Sequence, residues 1–166
     1  AISVPMNGAI YKADVISGQK TGLFYDQRQN HKFVASLAGG KAVLDVFCHV
    51  GGFGLAAIAA GASNVSFVDS SASALELVGV GAAEMKKSDS INTIRGDAFA
   101  VMKELANSDH FYDIVICDPP AFVTSRNSLQ SGLRAYEKMA KLASSLIRRN
   151  GVLVLCSCSQ LANLIK

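Results

Sequence analysis

No stretch of this sequence approaches the roughly 18 to 20 uncharged apolar residues that a membrane-crossing helix needs. Residues 1 to 20 also lack a basic segment followed by an apolar one, so no secretory leader is expected and the protein is expected to be cytoplasmic. Neither sign of charge dominates: 16 Lys and Arg face 13 Asp and Glu, and the formal charge of +3 permits a nucleic-acid partner without demanding one. The four cysteines form no short-spaced framework, which excludes a small disulfide scaffold and leaves reduced thiols as the expectation. Internal repeats and low-complexity linkers are missing as well. What remains is 166 residues, 50% hydrophobic and 17% charged, enough for one compact domain with a real core and too few for two. The chain begins with Ala and stops seven residues after Ser159, so both ends are expected to be cut from something longer.

From Gly40 onward, short apolar runs alternate with amphipathic segments, the pattern of a parallel sheet covered by helices. Strands are expected at 42–47, 65–69, 92–97, 113–118 and 152–157. The first, fourth and fifth are continuously apolar, as strands buried on both faces would be. Leu75, Val78, Ala82 and Met85 share one helical face, and Leu129, Leu133, Tyr136, Ala140, Ala143 and Ile147 share another. Ser73 with Glu76 has the spacing of a capping box, and the second of these helices is expected to end at "RRNG" (148–151). Before Gly40, residues 7–16 read as a strand, either alone or as half of a hairpin, and 17–22 as a loop. Residues 24–39 read as a helix capped by Asp26 and closed by Gly39.

The first sheet strand runs into "LDVFCHVGGFGLAAIAA" (44–60), a strand, a glycine turn and a small-residue helix, which together let a ligand approach the backbone. Gly51, Gly52 and Gly54 do not reproduce Gly-x-Gly-x-x-Gly. A carboxylate at Asp45 would repel a pyrophosphate and attract an ammonium and a sulfonium, which favours S-adenosylmethionine over NAD. Asp69 ends the second strand, where an acid accepts from ribose hydroxyls, and Asp97 ends the third, where it accepts from an adenine amine or merely caps a helix.

"VLDVFCHVGGFG", "FVDSSASALEL", "GDAF", "CDPPAF" and "LVLCSCS", in this order, resemble the motifs of class I S-adenosylmethionine-dependent RNA methyltransferases. The closest resemblance is to the bacterial 23S ribosomal RNA cytosine-C5 methyltransferases that carry an N-terminal PUA domain. "GQKTGLFYDQRQN" (18–30) is similar to the segment before their catalytic domain, and "GVGAAEMKK" (79–87) departs from the Asn-rich helix end of many relatives. The resemblance implies a doubly wound, mainly parallel α/β sheet of Rossmann-like type with strand order 3-2-1-4-5, lacking the family's last two strands. It divides the chain into a strand and loop segment at 1–23 and an incomplete catalytic domain at 24–166. It implies cofactor contacts from Gln27, Arg28, Asp45, Phe47, Cys48, Gly51, Gly52, Phe53, Asp69, Ser70, Asp97, Ala98, Asp118 and Pro119. The implied partner is 23S ribosomal RNA; no membrane and no metal are expected, and the oligomeric state stays open, a homodimer included.

"CDPPAF" (117–122) brings a carboxylate, two rigid prolines and an aromatic to the same sheet edge. Pro120 and Phe122 are candidate substrate contacts, Phe122 by stacking on a base, and Lys20, Arg28 and Arg126 are candidate phosphate partners. Methylation of an exocyclic amine at such an edge needs no cysteine. Methylation of a pyrimidine at C5 does, because that carbon becomes nucleophilic only after a thiolate adds to C6. By resemblance Cys158 is that nucleophile and Asp118 the partner of N3; the second cysteine of some related families would fall at Ala121. Cys117 and Cys156 read as buried fillers. His31 and His110 read as solvated surface. A paired base would have to turn out of its stack to reach Cys158. The rivals are a guanine-N methyltransferase, for which Cys158 is a bystander, and a non-catalytic fragment that keeps the cofactor pocket.

Overall fold

A computed structural model describes residues 1–16 and 22–158. Strands β1 (Ile2–Met6) and β2 (Ala9–Ala13) form an antiparallel hairpin with Met6 paired to Ala9. Asn7 and Gly8 have φ of 53° and 77°, the left-handed pair that a two-residue hairpin turn requires. Residues 7–16 thus supply half of a hairpin, as expected, with the strand starting only at Ala9 because Asn7 and Gly8 form the turn. A 3-10 turn over Tyr25–Gln27 leads into α1 (Arg28–Ser36). The expected cap at Asp26 and stop at Gly39 do not hold, because Asp26 is taken into the 3-10 turn and Gln27 and Leu37 flank the helix.

The sheet then alternates with helices: β3 (Ala42–Val46), α2 (Gly52–Ala59), β4 (Asn64–Asp69), α3 (Ala72–Glu84), β5 (Ile91–Arg95), α4 (Ala98–Asn107), β6 (Tyr112–Cys117), α5 (Leu129–Ser144) and β7 (Ile147–Leu155). The order across the sheet is β5-β4-β3-β6-β7, all parallel, which is the expected 3-2-1-4-5. Side chains alternate between two cores. Val43, Val65, Phe67, Ile114 and Ile116 pack under α1, α2, α3 and the hairpin, while Leu44, Val46, Val68, Val115 and Cys117 pack under α4 and α5. The hairpin sits close to α3 because position 81 is glycine: a Cβ there would stand 2.6 Å from the Ile10 carbonyl oxygen.

Three further expectations are corrected by local hydrogen bonding. Helix α3 is capped by Ser71, whose Oγ accepts from the Ala74 amide at 3.2 Å, and Ser73 lies inside the first turn. Strand β5 stops at Arg95 because Asp97 leaves the ladder to cap α4, its Oδ2 accepting from the Ala100 amide at 3.0 Å. Helix α5 ends at Ser144, not at "RRNG"; Ile147 already pairs with Tyr112, and Asn150 at φ 65° absorbs a register shift before Val152 pairs with Ile114. Ile147 thus leaves the helical face, whose fully buried residues are Gly132, Met139 and Ala143. Strand β7 is only partly buried, because it is an edge strand. No helix among the described residues is long and apolar enough to cross a membrane.

Candidate active site

Asp45, Asp69 and Asp118 lie at the carboxyl ends of the adjacent strands β3, β4 and β6. Period-2 geometry puts Asp45 on the same face as Val43, toward α2. It is 1% exposed, and its Oδ2 accepts from the Gly54 amide at 2.8 Å. Its Oδ1 is buried without a partner. Burial pushes this carboxyl up to about 8; the Gly54 bond opposes the shift and the charges of Asp118 and Asp69 add to it. Gly54 is required here, since a Cβ would stand 2.2 Å from Phe67 Cε1 and 3.0 Å from Asp45 Oδ2.

The turn between β3 and α2 holds two non-glycine residues in the left-handed region, Phe47 at φ 60° and His49 at 50°, with Gly51 at 86°. Left-handed backbone costs roughly 1 to 2 kcal/mol per residue, so surrounding bonds must impose it. The Cys48 amide donates to the Val68 carbonyl at 3.1 Å, the Gly51 amide to the Cys48 carbonyl at 2.8 Å, and the His49 amide to Asp69 Oδ2 at 2.8 Å. Asp69 Oδ1 takes the Ser71 amide at 2.9 Å, so this acid ties the turn to the start of α3. Behind the turn lies His31. The expectation that it is solvated is corrected: it is 4% exposed, its ring centroid is 4.4 Å from that of Phe53, and a Cβ on Gly52 would meet its Cε1 at 2.6 Å. Burial lowers its pKa to about 4, against the charge of Asp26, so the imidazole is neutral near pH 7. Tyr11 completes the support by donating from its hydroxyl to the Gly52 carbonyl at 2.9 Å. Among the described residues, the buried side-chain N and O atoms without a partner are His31 Nδ1, Asp45 Oδ1 and His49 Nδ1, all in or against this turn.

The second part of the site is the DPP turn. The Asp118 amide donates to the Val46 carbonyl at 3.3 Å, which registers the turn against β3, and Pro119 is buried while Pro120 is exposed. Strand β7 ends at Leu155, and the Cys156 amide still reaches the Cys117 carbonyl at 2.9 Å. Cys158, just beyond, is exposed and points its Sγ to the Pro119 carbonyl at 3.8 Å. The two cysteines are unlike. Burial chiefly, then the charge of Asp118 and a hydrogen bond to it, holds the Cys156 thiol up at about 12, so it stays protonated. Phe122 belongs to an aromatic group, with ring centroids 6.2 Å from Phe47, 5.9 Å from Phe99 and 4.7 Å from Tyr136.

A family model for S-adenosylmethionine-dependent methyltransferases matches residues 2–162. The chain belongs to this family. Two relatives named ribosomal RNA large subunit methyltransferase I are similar to it: that of Photobacterium profundum is 34% identical over 161 residues and that of Aeromonas hydrophila 36% identical over 163. Each alignment covers 96% of this chain and 41% of the relative, so the chain spans about two fifths of their length. Among solved structures, a candidate S-adenosylmethionine-dependent methyltransferase from Streptococcus mutans superposes with a TM-score of 0.83 at 26% identity, over 99% of this chain and 42% of that one. A candidate methyltransferase crystallised with S-adenosylhomocysteine gives a TM-score of 0.81 at 26% identity, over 93% of this chain and 41% of its own.

In this chain the residues singled out from sequence fall into two groups. Asp45, Phe47, Cys48, Gly51, Gly52, Phe53 and Asp69 form or line the glycine turn, and Asp118, Pro119, Pro120, Phe122 and Cys158 form the DPP edge. Gln27 and Arg28 begin α1, one turn before His31, and Phe24 meets the His49 ring edge-on at 5.3 Å, so this segment lies against the glycine turn. Ser70 is exposed beside Asp69, its carbonyl accepting from Arg95 at 3.4 Å. Asp97 is exposed and occupied as a cap, Ala98 is buried behind it, and Arg126 is exposed in a 3-10 turn after the DPP edge. Lys20 lies outside the described residues. Cys117 is buried as expected, and Cys156 is half-buried. Sequence reasoning missed Tyr11 and His31 as supports of the glycine turn. Buried alternation along "AIYKA" marks Tyr11 as core, and nothing in the pattern of α1 reveals that His31 faces a glycine rather than water.

Proposed function

We propose that this chain is the methyl-transferring part of an enzyme that methylates C5 of a cytosine in large-subunit ribosomal RNA. The names of the relatives support the RNA. The meeting of the Cys158 thiol with the DPP turn, Sγ to Pro119 carbonyl at 3.8 Å, carries the chemistry, because an amine methyltransferase has no use for a thiol at that edge.

The residues of the glycine turn fit the cofactor. The unpartnered, buried Asp45 Oδ1 suits an ammonium or sulfonium, while Asp69 holds the turn in shape and keeps lone pairs for ribose hydroxyls. Gln27, Arg28, Phe47, Cys48, Gly51, Gly52, Phe53, Ser70, Asp97, Ala98, Asp118 and Pro119 complete the set assigned to it. Bound S-adenosylmethionine supplies an electrophilic methyl and departs as S-adenosylhomocysteine.

The target cytosine stacks on Phe122 and lies against Pro120, with Arg126 on a flanking phosphate. The Cys158 thiolate adds to C6 while the protonated carboxyl of Asp118 gives its hydrogen to N3. The electron pair raised at C5 takes the methyl, a base removes the C5 proton, and the pair returns to expel the thiolate. Cys156 suits the role less, because it is half-buried and burial and Asp118 favour its protonated thiol. The test is Cys158→Ser in the full-length protein. Methylation of ribosomal RNA by the variant is expected to fall below detection, and wild-type protein is expected to form a covalent adduct with 5-fluorocytosine RNA. Methylation by the variant at the normal rate, with no wild-type adduct, would favour attack by an exocyclic amine instead.

A further inference from the structure

Three short segments must be held together for a thiol to meet a base: the DPP turn, the aromatic that follows it, and the chain leaving β7. One atom touches two of them. The Tyr136 hydroxyl oxygen accepts from the Phe122 amide at 3.4 Å and from Ser157 Oγ at 3.2 Å. Phe122 lies two residues past the prolines, and Ser157 is the residue immediately before Cys158. The Tyr136 ring also lies against the Phe122 ring, with centroids 4.7 Å apart. Tyr136 itself is fixed in α5, a 16-residue helix anchored in the core by Met139 and Ala143.

We propose that Tyr136 is a positioning residue that locks the thiol-bearing segment to the DPP turn through its phenol oxygen. This rests on the reading of Cys158 as nucleophile. A phenol oxygen has two acceptor lone pairs as well as its own proton, so it can take both donors at once. Phenylalanine at 136 would fill the same space against Phe122 and the core, so packing alone does not call for the hydroxyl. Its value lies in where the two donors belong. Beyond Leu155 the chain has left the β ladder, and Cys158 is exposed. Ser157 held on Tyr136 and Cys158 held near the Pro119 carbonyl fix the direction in which the thiol is presented. Phe122 held on the same oxygen sets the height of the base platform relative to that thiol. Addition to C6 depends on this separation, since misplacement by about 1 Å costs roughly 100-fold in rate.

The experiment compares wild type, Tyr136→Phe and Ser157→Ala in the full-length protein. Adduct formation with 5-fluorocytosine RNA and steady-state methylation are measured beside calorimetric binding of S-adenosylmethionine and thermal unfolding. Tyr136→Phe is expected to slow adduct formation and kcat by about 10- to 100-fold, with RNA KM and cofactor Kd within about twofold of wild type. Ser157→Ala, which removes an exposed hydroxyl with no core role, is expected to slow the same step in the same direction. If wild type forms the adduct and both variants form it at the wild-type rate, the lock is wrong while Cys158 remains the nucleophile. A loss of kcat matched by an equal loss of cofactor affinity and melting temperature would reduce Tyr136 to a packing residue. If wild type forms no adduct and Cys158→Ser still methylates, the nucleophile assignment fails and the lock falls with it.

Discussion

With Asp45 as the proposed partner of the cofactor's ammonium, cofactor affinity is expected to depend on pH. The Asp45 carboxyl is buried and titrates at about 8, so before the cofactor arrives it is about nine-tenths protonated at pH 7. An ammonium placed against the unpartnered Oδ1 favours the carboxylate, so binding at pH 7 releases about 0.9 proton from Asp45 and, after uptake by the ligand's amine, about 0.8 proton in all. The affinity scales with the ionised fraction of Asp45 and with the protonated fraction of the ligand's α-amine, whose ordinary pKa is about 7.8. From pH 6 to 7 the first fraction grows about ninefold and the second falls slightly, so Kd tightens about eightfold. By pH 8 the two fractions oppose each other, and the total gain over pH 6 is about 20-fold. Calorimetry in two buffers of different ionisation enthalpy reads both the Kd and the released proton. Asp45→Asn should bind weakly and lose the pH dependence. A wild-type Kd flat within twofold from pH 6 to 8, with no proton released, would refute the placement of a cation at Asp45. His49 does not mimic the effect, because burial holds its imidazole below the usual range.

The same groups set the stability of the cofactor-free protein. Asp45 is raised, so the stability it allows is present below about pH 4 and lost as pH rises toward 8; His31 is lowered to about 4, so its contribution is lost as pH falls from about 6.5. The slopes offset between about pH 4.5 and 6.5, and above 6.5 Asp45 alone should lower stability by about 2 kcal/mol up to pH 8. Urea unfolding across that range should record the fall, and saturating S-adenosylmethionine should abolish it. Asp97→Ala removes the cap on α4 and should cost about 0.5 to 2 kcal/mol in the same assay; an unchanged midpoint would mean that the Ala100 amide bond contributes nothing.

Periodic and punctuated features of the sequence carried through to the structure. The two-sided burial of β3 and β6 and the position of the glycine turn follow from apolar runs bounded by Gly, Asp and Pro, whereas the strand order came only from the family resemblance. Boundaries fared worse where two caps competed: Ser71 and Ser73 are both plausible before α3, and the hydrogen bond from the Ala74 amide decides for Ser71. The burial of His31 was not legible, because the exposed-looking "RQNHKF" reveals its inner face only when Gly52 supplies a surface without a side chain. The difference between Cys156 and Cys158 was legible only through resemblance. The structure gives its physical basis: one thiol is shielded and bonded to a carboxyl, the other lies in the open beside a carbonyl.

The grouping of Asp45, Asp69 and Asp118 has a consequence for turnover. Each of the latter two makes the Asp45 carboxylate harder to form, so the cluster is poorly stabilised until a cation enters. S-adenosylmethionine brings a sulfonium and an ammonium; after transfer the sulfur is a neutral thioether and one positive charge has left the site. The cluster must then either tolerate the unbalanced charge or take up a proton. A proton taken up by Asp45, the most deeply buried of the three acids, would leave a neutral carboxyl with a weaker hold on the remaining ammonium. On the proposed placement of the ammonium at Asp45, protonation of that acid would loosen the product, and the affinity of S-adenosylhomocysteine should fall more steeply below pH 7 in wild type than in Asp45→Asn.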